Sequence, residues 1–93
     1  MALQARLTIT GRVQGVGYRD WAIGTGQRLG LAGWVRNRRD GAVEALIVGE
    51  DEAVGQMIEA CRRGPPLARV DDIDIDPVDL DIMPEGFTLL PTI

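Results

Sequence analysis

Leu3, Ala5, Leu7 and Ile9 alternate with Gln4, Arg6, Thr8 and Thr10, and directly beyond that run glycine stands at positions 11, 15 and 17. Alternation with period two marks a strand with one buried face. The glycines then break the strand and permit a tight backbone. The period changes after them. Ala22, Gly26 and Leu29 fall at helical spacing, which predicts a helix over Asp20–Leu29 with Gly30 near its C-terminus. Gly24 and Gly26 inside that helix cost roughly 1 kcal/mol each against alanine.

The same change of period occurs again. Ala32–Asn37 and Val43–Val48 read as two strands, and Arg38–Arg39–Asp40–Gly41 between them is a hairpin signal. Val54, Met57, Ile58 and Cys61 are spaced i, i+3, i+4, i+7, the stripe of a second amphipathic helix. Gly64–Pro65–Pro66 stops it, and Ala68–Ile75 and Phe87–Leu90 complete the strands. The order β-α-β-β-α-β predicts an α+β sandwich of the ferredoxin-like type, an antiparallel sheet with two helices on one face. Ninety-three residues suit a single domain, 1–93.

Composition removes several classes of function. At 45% hydrophobic and 26% charged the chain is ordinary globular material. No apolar run approaches the ~18 residues of a membrane span, and the N-terminus lacks the apolar core of a signal peptide. Cys61, the single cysteine, can form no internal disulfide, so a cytoplasmic location is expected. With no histidine, a phosphohistidine intermediate, a histidine general acid and a histidine metal site are excluded. Cys61 is followed by Arg62 and Arg63, which gives a cysteine-nucleophile phosphatase no support.

The net charge of −4 hides a division. Residues 1–39 carry seven arginines against one acid, or +6; residues 40–93 carry three arginines against thirteen acids, or −10. Either the glycine-rich half sets up a local basic field, or interleaved strands cancel the division. The aspartates of Asp71–Asp81 lack the glycine and distal glutamate of an EF-hand loop, and on a strand they make a solvated face that discourages edge pairing. Four aromatic residues in the whole chain are too few for a base-stacking platform, so no nucleic-acid partner is expected.

Chemistry concentrates between residues 10 and 37. Glycines 11, 15 and 17 let backbone N–H groups converge, and the helix start beyond them favours negative charge. Arg19 adds a permanently charged planar fork matched to phosphate oxygens. Asn37 brings a carboxamide eighteen residues later, at a strand end. Taken singly, Gly15 and Gly17 suit an ordinary turn, Arg19 a solvated helix start, and Asn37 the approach to a hairpin.

Taken jointly, Gly11–Arg12–Val13–Gln14–Gly15–Val16–Gly17–Tyr18–Arg19 and Gly33–Trp34–Val35–Arg36–Asn37 resemble the two signatures of the acylphosphatase family, a GRVQGVGFR-like loop and a GWVRN-like strand end. The likeness continues through Asp40–Gly41–Ala42–Val43–Glu44, Gly64–Pro65–Pro66 and Gly86–Phe87, with Tyr18 where phenylalanine is more usual. The resemblance implies metal-independent hydrolysis of small acyl phosphates to carboxylate and inorganic phosphate, without a cofactor, by a cytoplasmic monomer. It implies that the amides of Gln14, Gly15, Val16, Gly17, Tyr18 and Arg19 and the Arg19 side chain bind phosphate, and that Asn37 orients the attacking water. It also implies a small residue at Gly26, for close helix–sheet approach.

The chemistry agrees with that composition. A carboxylate leaving group, with a conjugate acid of pKa roughly 4 to 5, departs without a general acid. The transition state is loose, so positioning and fixed dipoles supply most of the catalysis. Around the site, Arg12 and Arg36 are expected on the solvent face, Tyr18 and Trp34 in structural roles, and Cys61 as inert core. Trp21 has two readings, rim of the site or cover for the sheet edge.

Overall fold

The computed structural model describes residues 2–93. In chain order its elements are β1 (Ala2–Arg12), α1 (Tyr18–Arg28), β2 (Ala32–Asn37), β3 (Val43–Glu50), α2 (Asp51–Arg63), β4 (Arg69–Pro77) and β5 (Phe87–Leu89). The strands form one sheet in the order β4-β1-β3-β2-β5. The expected antiparallel sheet is there in the first four, and β5 extends it by pairing parallel to β2. A three-residue strand entered at the end of the sheet where β2 itself begins can only run alongside β2 in the same direction. The link is direct: Gly33 N–H donates to the Gly86 carbonyl at 2.8 Å.

Period two explains the core. Ala5, Leu7 and Ile9 of β1 lie opposite Ile47, Ala45 and Val43 of β3, and all six are buried. Across β3, the same face continues with Gly33, Val35 and Asn37 of β2. Tyr18 and Ala22 of α1 and Val54, Met57 and Cys61 of α2 close over this face in one apolar cluster. Leu7 and Ile9 are both fully buried, so truncating either to alanine costs about 2–5 kcal/mol. The stripe on α2 is as spaced in the sequence, with Ile58 only partly buried. Leu3 departs from the alternation: at the start of β1, opposite Gly49, it is 44% exposed.

Central β3 is buried from Val43 to Val48, including a carboxylate. Glu44 faces the helix-free side and accepts from Arg36 Nε at 2.7 Å, with Arg6 Nε 3.9 Å away. Arg36 also stacks over Trp34, its guanidinium carbon 4.6 Å from the ring centre. Arg36 and Trp34 thus lie on the sheet's open face, where Arg36 was expected, and Trp34 packs under the guanidinium. β4 is an edge strand whose Asp71, Asp72, Asp74 and Asp76 are exposed while Ile73 turns inward.

Helix α1 starts two residues earlier than its apolar spacing predicts, because Gly17 in the left-handed region turns the chain directly into Tyr18. Its buried residues are Tyr18, Ala22, Thr25 and Gly26. Thr25 is accommodated because its hydroxyl donates to the Trp21 carbonyl at 2.8 Å. Gly26 marks the closest approach of α1 to the sheet: a Cβ there would stand 2.7 Å from Cδ2 of Phe87.

Candidate active site

Strands β1 and β2 flank β3 and are both antiparallel to it, so they run in the same direction. Their C-terminal ends therefore meet at one end of the sheet. Ile9 and Asn37 both pair with Val43, and alternation turns the Asn37 side chain toward the helix face. From Ile9 the chain runs on to Arg12, through the loop, and back over that face as α1. Strand pairing alone thus brings residues 13–19 and Asn37 together.

Gly15 and Gly17 have φ of 73° and 81°, a region that disfavours side chains. A Cβ at either position would meet nothing within 4 Å, so the requirement is conformational and not one of space. Gly17 is the N-cap of α1 and supplies no side-chain cap. Among the described residues, none of the backbone N–H groups from residue 14 to residue 20 donates to a protein acceptor; the first bond here is Trp21 N–H to the Gly17 carbonyl, at 3.1 Å. Free N–H groups at a helix start are a site for an anion. They border an open pocket of about 100 Å³ lined by Gly15, Gly17, Tyr18, Arg19 and Asp20. Arg19, half-buried there, makes no ion pair among the described residues.

The loop is tied down from two sides. Tyr18 is buried, and its hydroxyl donates to the Cys61 carbonyl at 2.6 Å, in the last turn of α2. Burial pushes the Tyr18 hydroxyl far above its ordinary range, so it remains a donor. Trp21 packs edge-to-face on Tyr18 at 5.3 Å and against the core, and it does not itself line the pocket. On the other side Gln14 Nε2 donates to the carbonyls of Arg38, at 2.7 Å, and Ala42, at 2.9 Å. The Gln14 side chain therefore grips the β2–β3 hairpin, and neither it nor Val16 lines the pocket.

Asn37 also lies outside the pocket lining, on the neighbouring strand end. Its backbone carbonyl accepts from Ile93 N–H at 3.1 Å. Its side-chain Oδ1 is buried and has no hydrogen-bond partner among the described residues. An orphaned buried carbonyl oxygen is costly, about 1–3 kcal/mol, unless something outside the protein donates to it. Arg12 is exposed, and Cys61 is a fully buried thiol that burial pushes up to about 11, inert as expected.

Sequence reasoning missed the Gln14 grip, since it considered only the main-chain amide of that residue. The sole hint was a long carboxamide in a loop otherwise made of small and apolar residues. It also missed Glu44 as a buried carboxylate; its one signal was an acid amid the apolar run of β3.

Comparison with known proteins bears directly on this geometry. The acylphosphatase family model matches residues 5–89. An acylphosphatase of Nitrobacter winogradskyi is 52% identical over 93 aligned positions, covering 95% of this chain and 94% of the relative. One from Rhodospirillum rubrum is 55% identical over 85 positions, covering 91% and 92%. The crystal structure of the acylphosphatase from Bacillus subtilis superposes with a TM-score of 0.90 at 37% identity, covering 97% of this chain and 99% of that one. Matched along nearly its whole length in sequence and in fold, with both signature segments brought to one end of the sheet, the chain belongs to the acylphosphatase family.

Proposed function

We propose that this acylphosphatase-family hydrolase binds the phosphoryl group of a small acyl phosphate on the amides of residues 14–19 and the Arg19 guanidinium, while Asn37 orients the attacking water. Water oxygen forms the new P–O bond. The bond from phosphorus to the carboxyl oxygen breaks, and its electron pair leaves with the carboxylate. The water's proton passes to the phosphate product, so no general acid or base of the protein is required. Fixed N–H dipoles and one uncommitted arginine match charge spread over the phosphoryl oxygens. The reading includes a cofactor-free cytoplasmic monomer, supported by the single, buried cysteine. No helix among the described residues is long and apolar enough to cross a membrane.

The observation that carries this reading is the buried Asn37 Oδ1 without a protein partner, one strand away from a loop of free amides. An acceptor so placed can take a hydrogen bond from water and aim one of its lone pairs at phosphorus. The test is carboxylate release from acetyl or benzoyl phosphate in excess EDTA by wild type and by folded Asn37→Ala. Turnover by the wild type should fall about 100-fold or more in the variant. The inhibition constant for inorganic phosphate should change less than about twofold, because the amides and Arg19 are intact. Equal loss of phosphate affinity would sink the water-orienting role.

A further inference from the structure

The Gln14 carboxamide spans the mouth of the hairpin that begins where Asn37 ends. Its two bonds go to Arg38 and Ala42, the residues that close the hairpin through Arg38 N–H to the Ala42 carbonyl at 2.8 Å. Two carbonyl acceptors require two hydrogens on one atom, which a primary amide supplies and a hydroxyl or carboxylate does not. The hairpin is further held by Ala42 N–H to Asp40 Oδ1 at 3.0 Å and by the Arg38–Asp40 ion pair at 2.9 Å. Inside the phosphate loop, in contrast, no backbone hydrogen bond crosses to this hairpin among the described residues. The Gln14 side chain is thus the polar link between the loop and the strand end bearing Asn37.

We infer that Gln14 is a positioning residue for hydrolysis: its carboxamide locks the β2–β3 hairpin to the phosphate loop, fixing the distance from Asn37 to the bound phosphoryl group. The inference rests on the proposed role of Asn37. A water must be aimed at phosphorus within a few tenths of an ångström, and a misplacement of about 1 Å costs roughly 100-fold in rate. The phosphate loop and the hairpin turn lie beyond the paired ends of β1 and β2, whose separation is otherwise set by their ladders on β3. The staple acts through the side-chain carboxamide, which is turned to the hairpin, and leaves the Gln14 main-chain amide free for the phosphate.

This role separates kcat from binding. Gln14→Leu keeps the bulk and loses both donors; its kcat should fall about tenfold or more, with the inhibition constant for inorganic phosphate within about twofold of wild type. In the Asn37→Ala background the same change should alter kcat less than about twofold, because the group being positioned is gone. A proportional loss in both backgrounds, or a loss of phosphate affinity, would make Gln14 a mere support of the loop and overturn the inference. Wild-type kcat in Gln14→Leu alongside a crippled Asn37→Ala would overturn it too, leaving the Asn37 role standing. Wild-type kcat in Asn37→Ala would instead overturn the Asn37 role, and the inference with it.

Gln14→Glu serves if the leucine variant does not fold. Its carboxylate faces two carbonyl oxygens, but once protonated it regains one donor. Turnover relative to wild type should therefore recover as pH falls toward about 4–5. A ratio to wild type that is flat with pH, in a folded variant, would count against the staple.

Discussion

At the scale of single residues, the roles proposed for Arg19 and Asn37 rest on two distinct physical signatures. Among the described residues Arg19 is a half-buried cation without an ion pair, beside amides that have no acceptor. Removing it takes charge from the anion site in ground and transition states alike. Arg19→Ala should lower kcat/KM by about 100- to 1,000-fold and weaken inhibition by inorganic phosphate in parallel. Steady-state kinetics with phosphate as inhibitor checks this, and unchanged phosphate inhibition would remove Arg19 from the site. Both residues stand out in the sequence because their side-chain chemistry and spacing match a two-part signature. The side-chain bonds of Gln14 were not legible. Its partners lie 24 and 28 residues away and are backbone carbonyls, to which any sequence contributes equally.

Elements were legible where period and punctuation agreed. Ala32–Asn37 is the strand that alternation and the hairpin signal predict, and the stripe Val54, Met57, Cys61 is the buried face of α2. The start of α1 was displaced, since a left-handed glycine and not an apolar repeat sets it. Within α1 two glycines that look alike in the sequence are physically different. A Cβ at Gly24 would stand 3.4 Å from Nη1 of Arg28, a side-chain tip with room to move. A Cβ at Gly26 would stand 2.7 and 2.9 Å from the buried Phe87 ring, which holds β5 to the sheet. Gly24→Ala should therefore stabilise by about 0.5–1 kcal/mol, the gain in helix propensity. Gly26→Ala should destabilise by about 1–3 kcal/mol through overpacking. Denaturant midpoints of the two variants should move in opposite directions from wild type; movement in the same direction would contradict the helix–sheet contact.

For the whole molecule, the strand order resolves the charge division. Strands β1 and β2 of the basic half enclose β3 of the acidic half, and Arg6 and Arg36 reach Glu44 from either side. The two halves do not form poles, and the cation at the pocket is Arg19. Global stability should respond to alkali. Burial raises the Cys61 thiol from 9.0 to about 11 and the Tyr18 hydroxyl well above 10.0, so both hold their protons in the folded state longer than in the unfolded chain. Between those values the unfolded state binds fewer protons, and stability falls as pH rises. Unfolding free energy should be level below pH ~9 and then decline, with at most about 1.4 kcal/mol per pH unit from each group. Urea titrations between pH 8 and 11 check this, and Cys61→Ala should flatten the first part of the decline. An unchanged slope in that variant would exclude the thiol as its source.

Periodicity, glycine placement and side-chain type are local properties, so the order of elements, the family and its two signature segments could be read from the residues alone. The parallel edge strand β5, the burial of Glu44 and the closeness of Gly26 to Phe87 emerge only once the chain is folded. So do the burial of Asn37 Oδ1 without a partner among the described residues and the span of Gln14 across the hairpin. Each of these depends on which backbone or side-chain group arrives from a distant part of the chain, and strand pairing across β3 sets that.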